Sequence, residues 1–408
     1  MLCRHCKTPL HHVFVDLGSA PPSNAYLSAE DLRKPEKWFP LRVLACDTCW
    51  LVQTEDLAQA EELFSAHYAY FSGFSSSWLA HSEKYVEDMV KRFQLNDQSH
   101  VVEVAANDGY LLQYVKARHI PCTGIEPTAS TAAAARAKGI SIVEDFFGVR
   151  LAKQLVSECK QADLTSANNV LAHVPDINNF VSGFAFLLKP EGVATFEFPH
   201  LVRLIAENQF DTIYHEHFSY LSLTSVNRIF ADNGLLVFDV DILPTHGGSL
   251  RVYAQRADSK PFQTSQAVQQ LLSEEKRIGV SSIEYYEGFQ AQANKVKNDL
   301  ISFLIDAQRR RKKVAAYGAA AKGNTLLNYA GIRADLISFV VDKSPSKQGK
   351  YLPGSRIPVL SEVEIEAQKP DYILILPWNL TTEIVEQLRY AREWGATFLR
   401  AVPKLELL

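Results

Sequence analysis

The sequence predicts an α/β chain of three units, a small metal-clipped N-terminal domain followed by two Rossmann-like domains. Three observations carry this. Two Cys-x-x-Cys pairs, Cys3/Cys6 and Cys46/Cys49, bracket a short stretch interrupted by prolines. The apolar run Val101-Val102-Glu103-Val104 enters the small-residue turn Ala105-Ala106-Asn107-Asp108-Gly109 and then a helical pattern and a further strand. The same order recurs where Val314-Ala315-Ala316-Tyr317 meets Gly318-Ala319-Ala320-Ala321-Lys322-Gly323-Asn324-Thr325. Strands alternating with helices are what a doubly wound parallel sheet requires. Boundaries are expected at 1–65, 66–255 and 256–408.

With 408 residues the chain exceeds the length at which one hydrophobic core keeps growing. Its 47% hydrophobic and 22% charged residues are ordinary for a globular protein, and a net charge of -4 provides no counterion-release drive toward nucleic acid. Met1-Leu2-Cys3-Arg4-His5-Cys6 lacks the apolar core of a signal peptide, and no apolar run reaches membrane-spanning length, so a cytoplasmic location without membrane partners is expected. The remaining cysteines, Cys122 and Cys159, read as small buried hydrophobes.

The first unit is broken by Pro9, Gly18, Pro21, Pro22, Pro35 and Pro40, a pattern that cannot supply long elements or much core. The two Cys pairs can stand in for that core. Each fits a knuckle turn presenting two sulfurs, and together Cys3, Cys6, Cys46 and Cys49 complete a closed tetrahedral Zn²⁺ site of structural character. The neighbouring His5, His11 and His12 are then surplus and read as solvent-exposed.

In the second unit, 77–93 reads as a helix, 110–118 as an amphipathic helix, and 122–125 as a strand ending at Glu126. Such a turn brings backbone amides close to a ligand, and a carboxylate at the next strand tip can accept both ribose hydroxyls. The turn departs from GxGxxG, which weakens NAD and favours S-adenosylmethionine (SAM). Asp145-Phe146-Phe147 lies one element on, either meeting an adenine amine and face or forming a strand-end acid beside core rings. Further strands are expected at 162–170, 192–198, 235–240 and 248–254; the polar groups of Asn168-Asn169-Val170-Leu171-Ala172-His173-Val174-Pro175 would enter the crevice at the strand ends.

The stretch 263–313 is polar and helical in period, ending in a solvated basic helix terminus, Arg309-Arg310-Arg311-Lys312-Lys313. The turn after Tyr317 resembles a phosphate cradle with Lys322 as its cation, or else a tight turn with an exposed lysine. Strands at 337–341 and 372–376 and a helix at 382–394 complete the third unit.

The densest chemistry is Tyr214-His215-Glu216-His217. In an extended segment the two histidines would share one face and Tyr214 and Glu216 the other. HExxH metal binding fails because position 219 is Ser219. Four adjacent polar or titratable groups point to proton transfer.

These pieces resemble the SAM-dependent sugar C-methyltransferases that act on nucleotide-linked 4-keto-deoxysugars. The resemblance spans nearly the whole chain, through the Cys quartet, Pro22-Ser23-Asn24-Ala25-Tyr26-Leu27, Tyr68-Ala69-Tyr70-Phe71-Ser72-Gly73, the 103–112 and 168–175 segments, Tyr214 to His217, His246-Gly247-Gly248-Ser249-Leu250-Arg251 and the Gly318 turn. It implies a zinc domain, a SAM methyltransferase domain, a C-terminal domain that helps hold the sugar nucleotide, and a monomer. Glu103, Ala105, Asn107, Asp108, Gly109, Glu126, Asp145, Phe146 and Asn168 would serve the cofactor. Asn24, Tyr26, Asn169, His215, Arg251, Lys322 and Asn324 would serve the substrate, dTDP-linked or GDP-linked.

Ala105 stands where such enzymes commonly carry glycine, which is tolerable if its φ stays negative. His217 is the expected base for a proton beside the ketone, since imidazole titrates near neutrality. The resemblance gives Tyr214, His173 and Tyr68 hydrogen-bonding roles toward sugar or enolate oxygens, and has Glu216 fix the sugar or a histidine. Methylation is expected at C3. The rival is an NAD-dependent sugar-nucleotide oxidoreductase or epimerase, which lacks its YxxxK pair here.

Overall fold

The computed structural model describes residues 1–55 and 71–408, so Tyr68 lies outside the described residues. Two sheets are built from β1 (His12–Ala20), β2 (Phe39–Ala45), β3 (Val52–Thr54), β4 (Val101–Val104), β5 (Cys122–Ile125), β6 (Ser141–Val143), β7 (Ala162–Asn168), β8 (Leu188–Pro199), β9 (Ser219–Tyr220), β10 (Leu235–Leu243) and β11 (Ser249–Arg256). The N-terminal sheet runs β1-β2-β3-β9, so its last strand comes from the segment just past His217. The central sheet runs β10-β11-β8-β7-β4-β5-β6. In it β11 alone is antiparallel to its neighbours, and the crossover order reverses between β4 and β7. The Ala105 turn therefore opens at the topological switch point, where α/β sheets bind ligands.

The expectation of short elements near the N-terminus is corrected by the nine-residue β1 and seven-residue β2. Their inward residues Phe14, Val15, Leu17, Leu41 and Val43 are buried in one core with Phe289, Ala293, Val296 and Leu300 of the helix Phe289–Arg309. Phe14 stacks on Phe289 with ring centres 4.4 Å apart. A partner so distant in sequence supplies the apolar burial that a proline-broken segment cannot generate locally.

Helix Ser76–Phe93 starts where the Ser75 hydroxyl accepts the Trp78 amide and ends at left-handed Gln94. Its inner face, Ser82, Tyr85, Val86 and Met89, follows the helical period and buries against the sheet. All four residues of β4 are buried, as a central parallel strand covered on both faces demands.

The C-terminal sheet contains β12 (Val314–Tyr317), β13 (Val340–Val341), β14 (Val359–Leu360), β15 (Tyr372–Ile375), β16 (Thr397–Arg400) and β17 (Glu406–Leu407), in the order β14-β13-β12-β15-β16-β17. This is the doubly wound order, with only β17 antiparallel. The expected 337–341 strand is cut to two residues because the Ile337 amide closes a turn onto the Arg333 carbonyl. The expected 382–394 helix divides into Thr381–Gln387 and a 3₁₀ segment, Arg389–Trp394. Cys159, read as buried, is exposed at a helix end with φ 58°. Among the described residues, no helix is long and apolar enough to cross a membrane.

One buried carboxylate ties two helices together. Glu275, on helix Gln266–Ile278, accepts the Leu223 amide at 2.8 Å and the Thr224 amide at 2.7 Å, satisfying the start of helix Leu223–Asp232. His200 Nε2 donates to it at 2.7 Å. Burial alone would raise its pKa, but these donors outweigh that and hold it below the usual carboxylate range. Glu275→Ala orphans these donors and should cost about 3 kcal/mol or more of stability, read by urea unfolding. The wild-type contribution is present above the ordinary carboxylate pKa and is lost as pH falls through the lowered one.

Candidate active site

Both cysteine knuckles fold alike. The Lys7 amide bonds the Cys3 carbonyl at 3.0 Å and the Trp50 amide bonds the Cys46 carbonyl at 3.1 Å, with Lys7 and Trp50 each at φ 63°. The four Sγ atoms lie within 4.8 Å of one another, Cys3 to Cys49 and Cys6 to Cys46 at 3.5 Å each. Zn–S bonds of about 2.3 Å in a tetrahedron separate sulfurs by about 3.8 Å, so the quartet fits zinc with no position left for substrate. His5, expected in solvent, is instead buried: Nδ1 lies 2.7 Å from Asn178 Oδ1 and Nε2 3.1 Å from Asp232 Oδ2.

A cavity of about 620 Å³ opens at the ends of the central strands, and its lining runs from the Ala105 turn to the Gly318 turn. Of the residues assigned to the cofactor, Ala105, Asn107, Glu126, Asp145, Phe146 and Asn168 line it. Ala105 has φ 60°, so the expected negative φ is corrected. The left-handed conformation costs an alanine about 1 kcal/mol or more, a strain located where the chain bends toward the cavity. Glu126 Oε2 accepts the Asn107 amide and Oε1 the Thr128 amide, both at 2.9 Å, which fixes the carboxylate at the rim.

Glu103, Asp108 and Gly109 do not line the cavity. Glu103 is fully buried, and burial pushes its carboxyl well above the usual range. Asp108 Oδ1 accepts the Gly73 amide at 3.2 Å while Asn107 Oδ1 accepts the Ser72 amide at 3.0 Å, so these two side chains fasten the Phe71-Ser72-Gly73 segment to the turn. Phe146 is half exposed at the rim, whereas Phe147 packs against Phe180 and Phe184 in the core. Asn168 Oδ1 is buried without a protein donor among the described residues. A rim carboxylate, an open ring and an unspent buried oxygen in one cavity fit SAM.

The run 214–217 is not extended. The His217 amide closes a turn onto the Tyr214 carbonyl at 2.9 Å, which brings Tyr214 and His217 to the same side, ring centres 4.0 Å apart. Tyr214, Glu216 and His217 line the cavity; His215 points away, its Nε2 3.2 Å from the Phe39 carbonyl. His217 Nδ1 lies 2.7 Å from the Thr212 carbonyl. A carbonyl only accepts, so the proton is on Nδ1 and the Nε2 lone pair is left open. His173 packs edge-on, 4.6 Å between ring centres. Burial depresses both imidazoles, His173 to about 4 and His217, also facing His173, well below its ordinary value. Glu216 receives Asn24 Nδ2 on both oxygens, at 2.8 and 2.9 Å.

The opposite wall is Ala320, Ala321, Lys322 and Lys347. Lys322, at the start of helix Ala321–Tyr329, donates to Asn379 Oδ1 at 2.8 Å and lies over the Trp378 ring. Burial lowers its pKa and Asp211 opposes that. Asn169 lines the cavity and donates to His246 Nε2 at 3.2 Å. Besides His215, three residues expected at the substrate stand elsewhere. Arg251 is buried in an ion pair with Glu197 at 2.6 Å; Asn324 Nδ2 donates to the Ser23 carbonyl at 2.7 Å; the Tyr26 hydroxyl donates to the Ala319 carbonyl at 2.5 Å. The last two dock the 22–27 segment that presents Asn24.

Over 402 residues, 98% of this chain and 95% of its relative, the sequence is 34% identical to the C-methyltransferase NovU of Streptomyces niveus. The chain is a SAM-dependent C-methyltransferase with an N-terminal zinc domain. Family matches agree along its length: a zinc binding domain at residues 3–64, a methyltransferase domain at 78–240 and a C-methyltransferase C-terminal domain at 244–403. Among solved structures, the PH0226 protein of Pyrococcus horikoshii OT3 is 14% identical, covering 47% of this chain and 99% of its own at TM-score 0.40. The SAM-bound magnesium protoporphyrin IX methyltransferase ChlM of Synechocystis PCC 6803 is 12% identical, covering 50% and 100%, TM-score 0.35.

This C-methyltransferase also places Trp78, Thr212, His246 and Lys347 on the cavity, residues that sequence reasoning did not assign to it. His246 lay inside a motif already noted; Lys347, in a polar loop, carries no local signal. Cys46→Ser removes one thiolate of the closed quartet. The variant should purify without stoichiometric zinc and melt with a separate early transition, by metal analysis and calorimetry.

Proposed function

We propose that this C-methyltransferase adds a methyl group to C3 of a nucleotide-linked 4-keto-6-deoxysugar, carried by dTDP or GDP, through an enolate. The observation that supports this is His217: a neutral imidazole with Nδ1–H spent on a carbonyl, its Nε2 open, in the cavity that also holds Glu126 and Asn107. SAM, when bound, supplies the methyl on its sulfonium. Forming a carbon–carbon bond requires a carbon nucleophile, and a ketone provides one by acidifying the adjacent C–H.

In this reading His217 Nε2 takes the C3 proton, the C–H electron pair becomes the C3–C4 π bond, and the carbonyl π pair moves onto the ketone oxygen. Tyr214, against the His217 ring, donates to that developing oxyanion, and His173 packs edge-on against the base. Glu216 is held by Asn24 and positions the sugar hydroxyls. Lys322 and the start of its helix face the diphosphate. The nucleophilic carbon is thereby held at near-attack distance from its methyl donor.

Mass spectrometry of dTDP- and GDP-4-keto-6-deoxyhexoses after incubation with enzyme and SAM in D₂O tests this. A product heavier by one methylene, with the new methyl on C3 by NMR, is expected; no product and no deuterium at C3 with any acceptor would overturn it. His217→Ala should lower kcat about 10²-fold with SAM binding unchanged by calorimetry. Because a depressed base stays neutral at lower pH, kcat/KM should remain flat through about pH 6.5, the ordinary imidazole value, and fall only below it.

A further inference from the structure

Arg4 stands between two zinc-ligating cysteines, yet its side chain serves the catalytic loops. It is 4% exposed. Nη1 donates to the Pro175 carbonyl at 2.9 Å and Nη2 to the Thr54 carbonyl at 3.0 Å, while the guanidinium lies 5.3 Å from the centre of the Phe218 ring. Pro175 ends the segment that carries His173. Phe218 directly follows His217.

The surrounding bonds close a frame around these contacts. The Phe218 amide donates to the Ala172 carbonyl at 2.7 Å, and the Thr54 amide to the Phe218 carbonyl at 3.1 Å. Thr54 Oγ1 donates to the His217 carbonyl at 3.3 Å. Gln53 Oε1 accepts the Arg4 amide at 2.8 Å, and Gln53 Nε2 donates to Cys3 Sγ at 3.2 Å. The knuckle, the His173 segment and the His217 turn thus meet at one buried guanidinium.

The two histidine rings touch edge to face, a contact too weak and too adaptable to set their separation. A planar fork that bonds a carbonyl on each of two segments while stacking on a ring sets distance and angle together. We infer that Arg4 is a positioning residue of the methyl-transfer site, fixing His217 relative to His173 from inside the zinc knuckle. This rests on His217 being the base. A displacement of about 1 Å in such a group is enough to cost about 10²-fold in rate.

The test compares full-length, zinc-loaded wild type with Arg4→Met and Arg4→Lys. The readouts are zinc content, SAM affinity, kcat and KM for the sugar nucleotide, and long-range ¹H–¹⁵N spectra of the histidine rings. Arg4→Met should keep one zinc and wild-type SAM affinity, lose 10- to 100-fold in kcat with KM nearly unchanged, and show His217 as mixed tautomers; Arg4→Lys should recover part of kcat. Wild-type kcat and a single Nδ1–H tautomer in Arg4→Met overturn the inference.

If Arg4→Met loses zinc, Arg4→Lys decides: zinc retained with lowered kcat supports positioning, while zinc lost again, or wild-type kcat, makes Arg4 a knuckle residue only and overturns it. The ring spectra need no substrate. A wild type that fails to exchange the C3 proton therefore removes the proposed reaction while leaving the effect of Arg4 on His217 separately readable.

Discussion

The cavity depends on the 2.7 Å bond from His217 Nδ1 to the Thr212 carbonyl. It selects one tautomer and leaves one nitrogen able to take a proton. The carbonyl is itself held by distant parts of the chain. Asp211, the residue before it, is fully buried and accepts Trp378 Nε1 at 2.8 Å, and Thr325 Oγ1 donates to the Ile213 carbonyl at 2.9 Å. The C-terminal domain therefore helps set the tautomer of a histidine that lies outside it.

Burial governs the charge state of the same cavity. Desolvation lowers His173, His217, His246 and Lys322 and raises Asp211 to about 6. Neutral imidazoles can accept a proton, and a low-dielectric surrounding strengthens each hydrogen bond made within it. Burial favours the neutral amine at Lys322, while Asp211 and the ring face of Trp378 favour its cation.

The three sheets do not act as separate bodies. β9 completes the N-terminal sheet immediately after His217, with Gln53 opposite Ser219 and Val52 opposite Tyr220. The 22–27 segment joins the Gly318 turn through Tyr26 and the following helix through Asn324, and it hands Asn24 to Glu216. Contacts of this kind explain a strained Ala105 turn: a left-handed alanine persists because Glu126 and the docked Ser72-Gly73 segment hold the Asn107 and Asp108 that follow it.

What the sequence determined by itself has local causes. Cysteine spacing specified both knuckles, apolar runs specified β4, β5 and β12, and the acid after β5 and the lysine after β12 were legible because a strand tip fixes where the next residues go. Tertiary structure alone decided the rest. Tyr214 and His217 share a side because Phe218 is bonded to Ala172 and β9 to β3, converting an expected pleat into a turn. Arg251 and Asn324 became structural because Glu197 and the Ser23 carbonyl reached them first. Period and spacing report only the next few residues, whereas the direction a polar side chain takes is set by whichever buried partner satisfies it, and here those partners lie far along the chain.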